Sequence, residues 1–262
     1  MPGPNEITPE ALMRLIGTPD APTLFDVCLE EDFAADPRLV PTARRVPHTD
    51  IVAHAQSTRR AVVICQKGKK LSHGAAALLR AQGIKAEVLE GGVYAWRAAS
   101  LPMIRADALR GPLWVTRHRP KIDRIACPWL IRRFIQPEAQ FLFVPSSEVL
   151  AVAERFGATA FDTAGAPFSD SKEGATFDAL LSEFSLDYQP LHDLAKIVRA
   201  ADSGGLGAAP QAAGLLAVSI GFSKMHRDDQ AQLEATMPLY DALFRWARDG
   251  QNETHSHGEP AQ

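Results

Sequence analysis

The 262-residue chain is poor in cysteine: Cys28, Cys65 and Cys127 are its only three, far apart and odd in number. A disulfide framework needs paired cysteines at suggestive spacings, so none is expected. Long apolar runs are missing too, and nothing approaches the ~20 residues that a membrane-spanning helix needs. The opening Met1-Pro2-Gly3-Pro4-Asn5-Glu6 has neither a basic stretch nor an apolar core, so no secretory leader is expected. An excess of positive charge is also absent. A formal net charge of −3 gives no broad basic field, and nucleic acid is not the default partner. There is no internal repeat, and no Cys-x-x-Cys or His-Glu-x-x-His spacing marks a zinc site. These absences leave a reduced, cytoplasmic protein with no membrane partner.

What is present is an ordinary globular composition, 46% hydrophobic and 23% charged, at a length that allows two domains. Residues 1–105 alternate strand and helix signals. Thr8-Pro9-Glu10 supplies an N-cap hydroxyl, a proline at the first helical position and an acid in the first turn, and Gly17 ends that helix. Short apolar strands are expected at 23–27, 61–64 and 86–89, with a helix from Ser72 that Gly83 ends. The alternation predicts an α/β domain, a mostly parallel sheet with helices on both faces. Residues 106–112 fall in a proline- and glycine-bearing seam and read as a linker. Beyond it, 113–250 reads as a helix-rich α+β domain, with strands at 113–116, 139–144 and 159–162. Helices are expected at 124–134, 146–156, 176–184, 190–201, 210–222 and 226–247. The polar stretch 251–262 is expected to be a disordered tail.

The most chemical segment of the first half follows the 61–64 strand. Cys65 stands at the strand end, and Gln66, Lys67, Gly68, Lys69, Lys70 and Leu71 lead into Ser72. A cysteine facing a helix start meets backbone N–H groups and the positive end of the helix dipole. Both favour a thiolate, and the three lysines act in the same direction. Cys65 is therefore the expected nucleophile, and residues 66–71 the expected anion-binding loop.

Cys65-Gln66-Lys67-Gly68, the small-residue helix after it, Leu89-Glu90-Gly91-Gly92 with Trp96, and Asp26 in Phe25-Asp26-Val27 form an ordered set. Over about residues 6–100 it resembles the rhodanese family. The resemblance implies a small α/β domain whose catalytic cysteine opens a loop between strand and helix. It also implies sulfur transfer without a cofactor: thiosulfate or another sulfane-sulfur donor leaves a persulfide on Cys65, and a thiol acceptor removes it. One residue, Leu71, is extra before Ser72. In this superfamily a wider loop goes with larger oxyanions, including phosphate in phosphatase relatives. Those relatives carry an arginine at the loop end. Here that place is Leu71, and a lysine such as Lys69 or Lys70 lacks the bidentate fork that phosphate takes. Sulfur transfer is the preferred reading over phosphatase chemistry. The bland alternative is an inert cysteine in a degenerate module, with Cys28 as plain packing.

In the second half, the string from Trp114 through Arg117, His118, Arg119, Asp123, Arg124, Cys127, Trp129, Arg132 and Arg133 to Ile135 is the most specific. With 141–145, 197–202, 213–217 and 240–243 it resembles the ChrB-type C-terminal domain of chromate-resistance proteins, over about 113–248. That family is tied to chromate resistance, and members with a different N-terminal region are chromate-responsive regulators. Read from the residues, Asp123 and Cys127 fall on one helix face. Arginines crowd the same helix start, which suits a tetrahedral oxyanion such as chromate or sulfate, with Arg124 and Arg132 as its ligands. A metal ion is the other possibility, held by Asp123, Cys127, Glu173, His192 and Asp202. Family members often carry a histidine and a cysteine near Glu173, where this chain has Asp170 and Ala175, which weakens a metal site there. The bland alternative makes the arginines surface partners of acids and Cys127 a buried small hydrophobe.

The combined expectation is a sulfurtransferase coupled to a chromate-resistance domain with an oxyanion or metal site. The alternative is a chromate-responsive sensor or transcriptional regulator with a non-catalytic rhodanese module. Either is compatible with a homodimer.

Overall fold

Apolar side chains alternate between the two faces of the first-half strands, so that sheet must be covered on both sides. The structure, a computed structural model, describes residues 3–170 and 174–253. Its first half runs β1 (Glu6–Ile7), α1 (Pro9–Leu15), β2 (Thr23–Asp26), α2 (Glu30–Ala34), β3 (Arg38–Leu39), β4 (Arg44–Arg45), α3 (Ile51–His54), β5 (Arg60–Ile64), α4 (Lys70–Ala81), β6 (Lys85–Leu89), α5 (Gly92–Ala98) and β7 (Ile104–Arg105). Five strands pair in the order β1-β6-β5-β2-β4, every pair parallel. Leu24, Val62 and Ile64 point to one face and pack with Leu12 and Ile16 near α1 and Trp96 of α5. Phe25, Ala61 and Val63 point to the other, against Ile51 of α3 and Ala76 and Leu79 of α4. The expected α/β domain is what the chain builds. As the sequence predicts, Thr8 caps α1 by accepting the Ala11 N–H at 3.1 Å, and Pro9 opens it.

The second half runs β8 (Leu113–Arg117), α6 (Asp123–Leu130), β9 (Gln140–Val144), α7 (Val149–Phe156), β10 (Thr159–Ala160), α8 (Thr176–Glu183), α9 (Gln189–Asp202), α10 (Ala212–Met225) and α11 (Asp229–Arg245). Its sheet has the order β10-β8-β9, again parallel, and the rest is helix-rich. Two differences from expectation have local causes. The strand expected at 159–162 stops at Ala160, and Asp162 then takes a left-handed backbone (φ +48°) that no strand continues through. The helix expected at 226–247 starts three residues late, because Asp228 caps it by accepting the Ala231 N–H at 2.7 Å. The expected tail lies mostly beyond the described residues. Among those residues no helix is long and apolar enough to cross a membrane.

The α1 face of the first sheet continues into the core of the second half, where Trp129, Phe134, Tyr240 and Phe244 stack around one another. Gly17 sits at this junction with φ +82°, and a Cβ on it would collide with the rings of Phe134 and Phe244. One glycine thus ends the α1 segment and admits two aromatic rings. Gly17→Ala combines left-handed strain with overpacking and should cost about 3 kcal/mol. The shift in the urea unfolding midpoint measures it.

Candidate active site

Parallel pairing sends the carboxyl ends of β2, β5 and β6 to one edge of the sheet, which brings Asp26, Cys65 and the Gly91-Gly92 turn together. Cys65 is 4% exposed. Its Sγ receives the Lys69 N–H at 3.4 Å and lies 3.1 Å from the Ser72 hydroxyl. That hydroxyl also donates to the Lys69 carbonyl at 3.0 Å. A hydroxyl has one proton and two acceptor sites. It can accept from the Cys65 S–H while bonded to Lys69, or rotate and donate to an anionic sulfur.

The glycine pair explains why the loop holds this shape. At the start of α5, the Val93 N–H donates to the Cys65 carbonyl and the Tyr94 N–H to the Gln66 carbonyl, both at 3.1 Å. Gly92 has φ +62°, and a Cβ there would collide with the Cys65 carbonyl and the Gly68 nitrogen. Two loop carbonyls are thus satisfied from behind, while the Lys69 N–H faces the sulfur. Trp96 anchors the same helix, its indole N–H donating to the Pro102 carbonyl at 2.9 Å.

The helix after Cys65 starts at Lys70, not Ser72, so the extra residue is absorbed in its first turn. Leu71, expected in the anion-binding loop, instead packs against the apolar cluster under the sheet. Lys67, Lys69 and Lys70 are exposed, and Gln66 is half-buried. Asp26 is buried and accepts the Cys28 N–H at 2.8 Å. Burial holds its carboxyl above the usual range, against the opposing Cys28 N–H and the Arg45 guanidinium. Burial, with Asp26 beside it, also pushes the Cys28 thiol up. A cavity of about 130 Å³ flanks the loop, lined by Asp26, Cys28, Phe33, Gln66, Tyr94 and Arg97 among others.

The second half also gathers chemistry at the carboxyl edge of its sheet. Arg117, at the end of β8, binds Asp162 through Nη2 at 3.2 Å and its carbonyl through Nε at 2.9 Å. The Arg124 Nε lies 3.0 Å from the same carboxylate, and its Nη1 donates to the His118 carbonyl at 3.1 Å. The Arg132 Nη1 meets Glu234 at 2.6 Å, its Nε the Ala139 carbonyl at 3.1 Å, and its carbon stands over the Phe141 ring. Arg124 and Arg132, the expected oxyanion ligands, each pair with an acid, Asp162 and Glu234. Arg132 is also at the wrong end. With Arg133 it lines a groove of about 390 Å³ together with Thr23, Leu24, Ser57 and Thr58, at the amino ends of β2 and β5.

The expected metal ligands separate. Asp123 and Asp202 come together, and the third member of their group is Asp170, with one carboxylate oxygen of each within 4.8 Å of the others. Cys127 lies on the same face of α6 as Asp123 but is fully buried in the core cluster, and burial, with Asp123 nearby, pushes its thiol well up. His192 pairs with Asp187 at 2.9 Å. Ten residues along α9 from Asp202, it is about 15 Å away. Glu173 lies outside the described residues. Asp170 stands where a nitrogen ligand is expected, and a carboxylate there suits a hard cation as well.

A rhodanese-like domain model matches residues 8–99, and the model of the ChrB C-terminal domain matches residues 114–247, half of the chain. The chain belongs to the ChrB C-terminal domain family. Protein ChrB of Cupriavidus metallidurans is 34% identical over 148 residues, which are 56% of this ChrB-family chain and 44% of that protein. The chain thus spans less than half the length of that curated relative. A rhodanese-like domain protein from Staphylococcus aureus is 26% identical over 35% of this chain and 90% of its own, with a TM-score of 0.31. The thiosulfate sulfurtransferase of Pseudomonas aeruginosa is 26% identical over 41% of this chain and 21% of its own, with a TM-score of 0.34.

Two outcomes follow from the geometry of this ChrB-family chain. Ser72→Ala removes the hydroxyl that lies 3.1 Å from Sγ; at about 2 kcal/mol for a hydrogen bond to a charged group, it should slow alkylation of Cys65 by at most roughly thirtyfold. Mass spectrometry of the Cys65 peptide measures it. The second concerns Asp26. A carboxyl raised in the folded state adds stability that is complete below its ordinary pKa and is lost as pH rises through the raised one. Asp26→Asn keeps an acceptor for the Cys28 N–H and should flatten that decline, read as urea midpoints from acidic to neutral pH.

Proposed function

We propose that the chain is a sulfurtransferase that carries sulfane sulfur on Cys65. The observation that carries this reading is the surroundings of the sulfur: a backbone N–H and a hydroxyl converge on Sγ, and two loop carbonyls are tied off by α5. The Lys69 N–H already faces the sulfur, and the Ser72 hydroxyl can turn its one proton to a thiolate or persulfide as charge develops. With the donor thiosulfate, the Cys65 thiolate attacks the outer sulfur. The new Sγ–S bond forms as the S–S bond of thiosulfate breaks, and sulfite leaves with the electron pair. A thiolate acceptor then attacks the outer sulfur of the persulfide, takes it as its own persulfide and returns Cys65 as thiolate. Neither step needs a cofactor.

The exposed lysines 67, 69 and 70 attract an anionic donor. They provide no fixed fork for a phosphoryl group, and the residue at the loop end, Leu71, is turned into the apolar cluster. The sulfur chemistry is proposed to serve chromate and oxyanion stress, because the same chain carries the ChrB C-terminal domain.

The test is turnover of thiosulfate with a thiol or cyanide acceptor, with mass analysis of the Cys65 peptide. The wild-type chain should gain one sulfur atom at Cys65 and release sulfite; Cys65→Ala should fall to the uncatalysed rate. A Cys65→Ala chain that keeps the wild-type rate would refute the proposal.

A further inference from the structure

The strongest unexplained chemistry lies where the start of α6, the end of α9 and the loop before α8 come together. We propose that Asp123, Asp170 and Asp202 bind one oxygen-preferring divalent cation of the Mg²⁺, Mn²⁺ or Ca²⁺ class.

Asp123 carries the argument. It is 1% exposed at the start of α6, and its Oδ2 accepts the Thr176 N–H at 2.8 Å. Its Oδ1 is buried and has no hydrogen-bond partner among the described residues. A buried carboxylate oxygen without a partner is costly, and a cation is the group that satisfies it. The other two acids complete the set. Asp170 accepts the Thr176 N–H and hydroxyl through Oδ1, each at 2.9 Å, and its Oδ2 has no hydrogen-bond partner among the described residues. Asp202 is the last residue of α9, where helix carbonyls add further negative potential. The 4.8 Å envelope of the three oxygens matches the spread of ligands around a cation with oxygens at about 2.1–2.4 Å.

Charge and ligand type select the class. Asp162, the fourth nearby acid, is already paired with Arg117 and Arg124. None of the three ligand acids has a basic partner within 4.0 Å among the described residues. Four carboxylates against two guanidinium groups make this edge net negative, which favours a cation over an oxyanion. No sulfur or imidazole takes part, since Cys127 is enclosed in the core and His192 pairs with Asp187. An all-carboxylate set suits hard cations over zinc or copper. Asp170 and Asp202 are exposed, so the remaining coordination positions face water.

The test is a titration of the full chain with Mn²⁺, followed by the loss of the free-ion paramagnetic resonance signal. One ion per chain is expected, with a rise in the thermal unfolding midpoint. Asp123→Asn, Asp170→Asn and Asp202→Asn should each weaken binding on the order of tenfold or more, because each removes a charged ligand. Without metal, the Asp202→Asn chain should melt no lower than wild type, which separates ligand loss from misfolding. Asp187→Asn should bind as wild type, and so should Cys65→Ala, so this proposal stands or falls apart from the sulfur chemistry. Absence of Mn²⁺ binding at millimolar concentration, or equal binding by Asp123→Asn and Asp202→Asn, overturns it.

Discussion

Parallel strand pairing is the constraint on which both sites depend. In a parallel sheet every strand delivers its carboxyl end to the same edge, and the helix that follows starts there with its free N–H groups. In the first half that rule brings Asp26, Cys65 and Gly91-Gly92 together from β2, β5 and β6, although 65 residues separate the first from the third. In the second half it places Arg117 at the end of β8 beside Asp162 just after β10, with Asp123 at the head of the next helix. An antiparallel arrangement of the same strands would split each group between two edges.

Holding groups at such an edge requires backbone shapes that cost energy. Around the second-half cluster, Arg119, Ile122 and Asp162 all have positive φ, and Ile122, at +38°, is β-branched. Such residues cost of order 1–3 kcal/mol each and persist only where the surroundings over-determine them. The packing here does so. The buried Tyr240 hydroxyl donates to the Ile122 carbonyl at 3.0 Å, and the Gln232 side chain donates to the Pro120 carbonyl at 2.6 Å. Helix α11 thus fixes the turn that aims Asp123. The glycine pair at 91–92 serves the first site differently, by letting two backbones approach more closely than any side chain permits.

The parts of this architecture legible in the sequence were those written in local patterns. Strands alternating with helices foretold the double-covered sheet, and Thr8-Pro9 foretold the first helix. The ordered cysteine, glycine pair and tryptophan foretold the Cys65 loop. Less legible were features that depend on which distant side chains meet. The arginines from 117 to 133 read as one basic surface, yet four of the five fold onto acids far along the chain: Arg117 and Arg124 on Asp162, Arg132 on Glu234, Arg133 on Asp241. The fifth, Arg119, donates to the Ser223 and His226 carbonyls. Nothing in local spacing announces those partners. Asp202 meets Asp123 at one end of α9, while ten helical residues carry His192 to the other. Asp170 had a signal that was available, a carboxylate in the right loop, obscured by the expectation of nitrogen and sulfur ligands.

The same directional rule bears on how the two halves could cooperate. The groove holding Arg132 and Arg133 opens at the amino ends of β2 and β5, whereas Cys65 stands at the carboxyl end. Five strand residues at about 3.3 Å each put roughly 15 Å and a filled apolar core between them. A persulfide on a cysteine that is 4% exposed cannot cross that distance while attached to its loop. On the proposed sulfurtransferase reading, an acceptor would therefore have to reach Cys65 at the carboxyl edge and carry the sulfur away by diffusion. A small thiol fits that requirement, because it can enter the narrow opening at the loop, take the outer sulfur and leave with it. On that reading the sulfur itself, and not a direct contact between Cys65 and the groove, would link the two halves, whose shared apolar cluster lies between them.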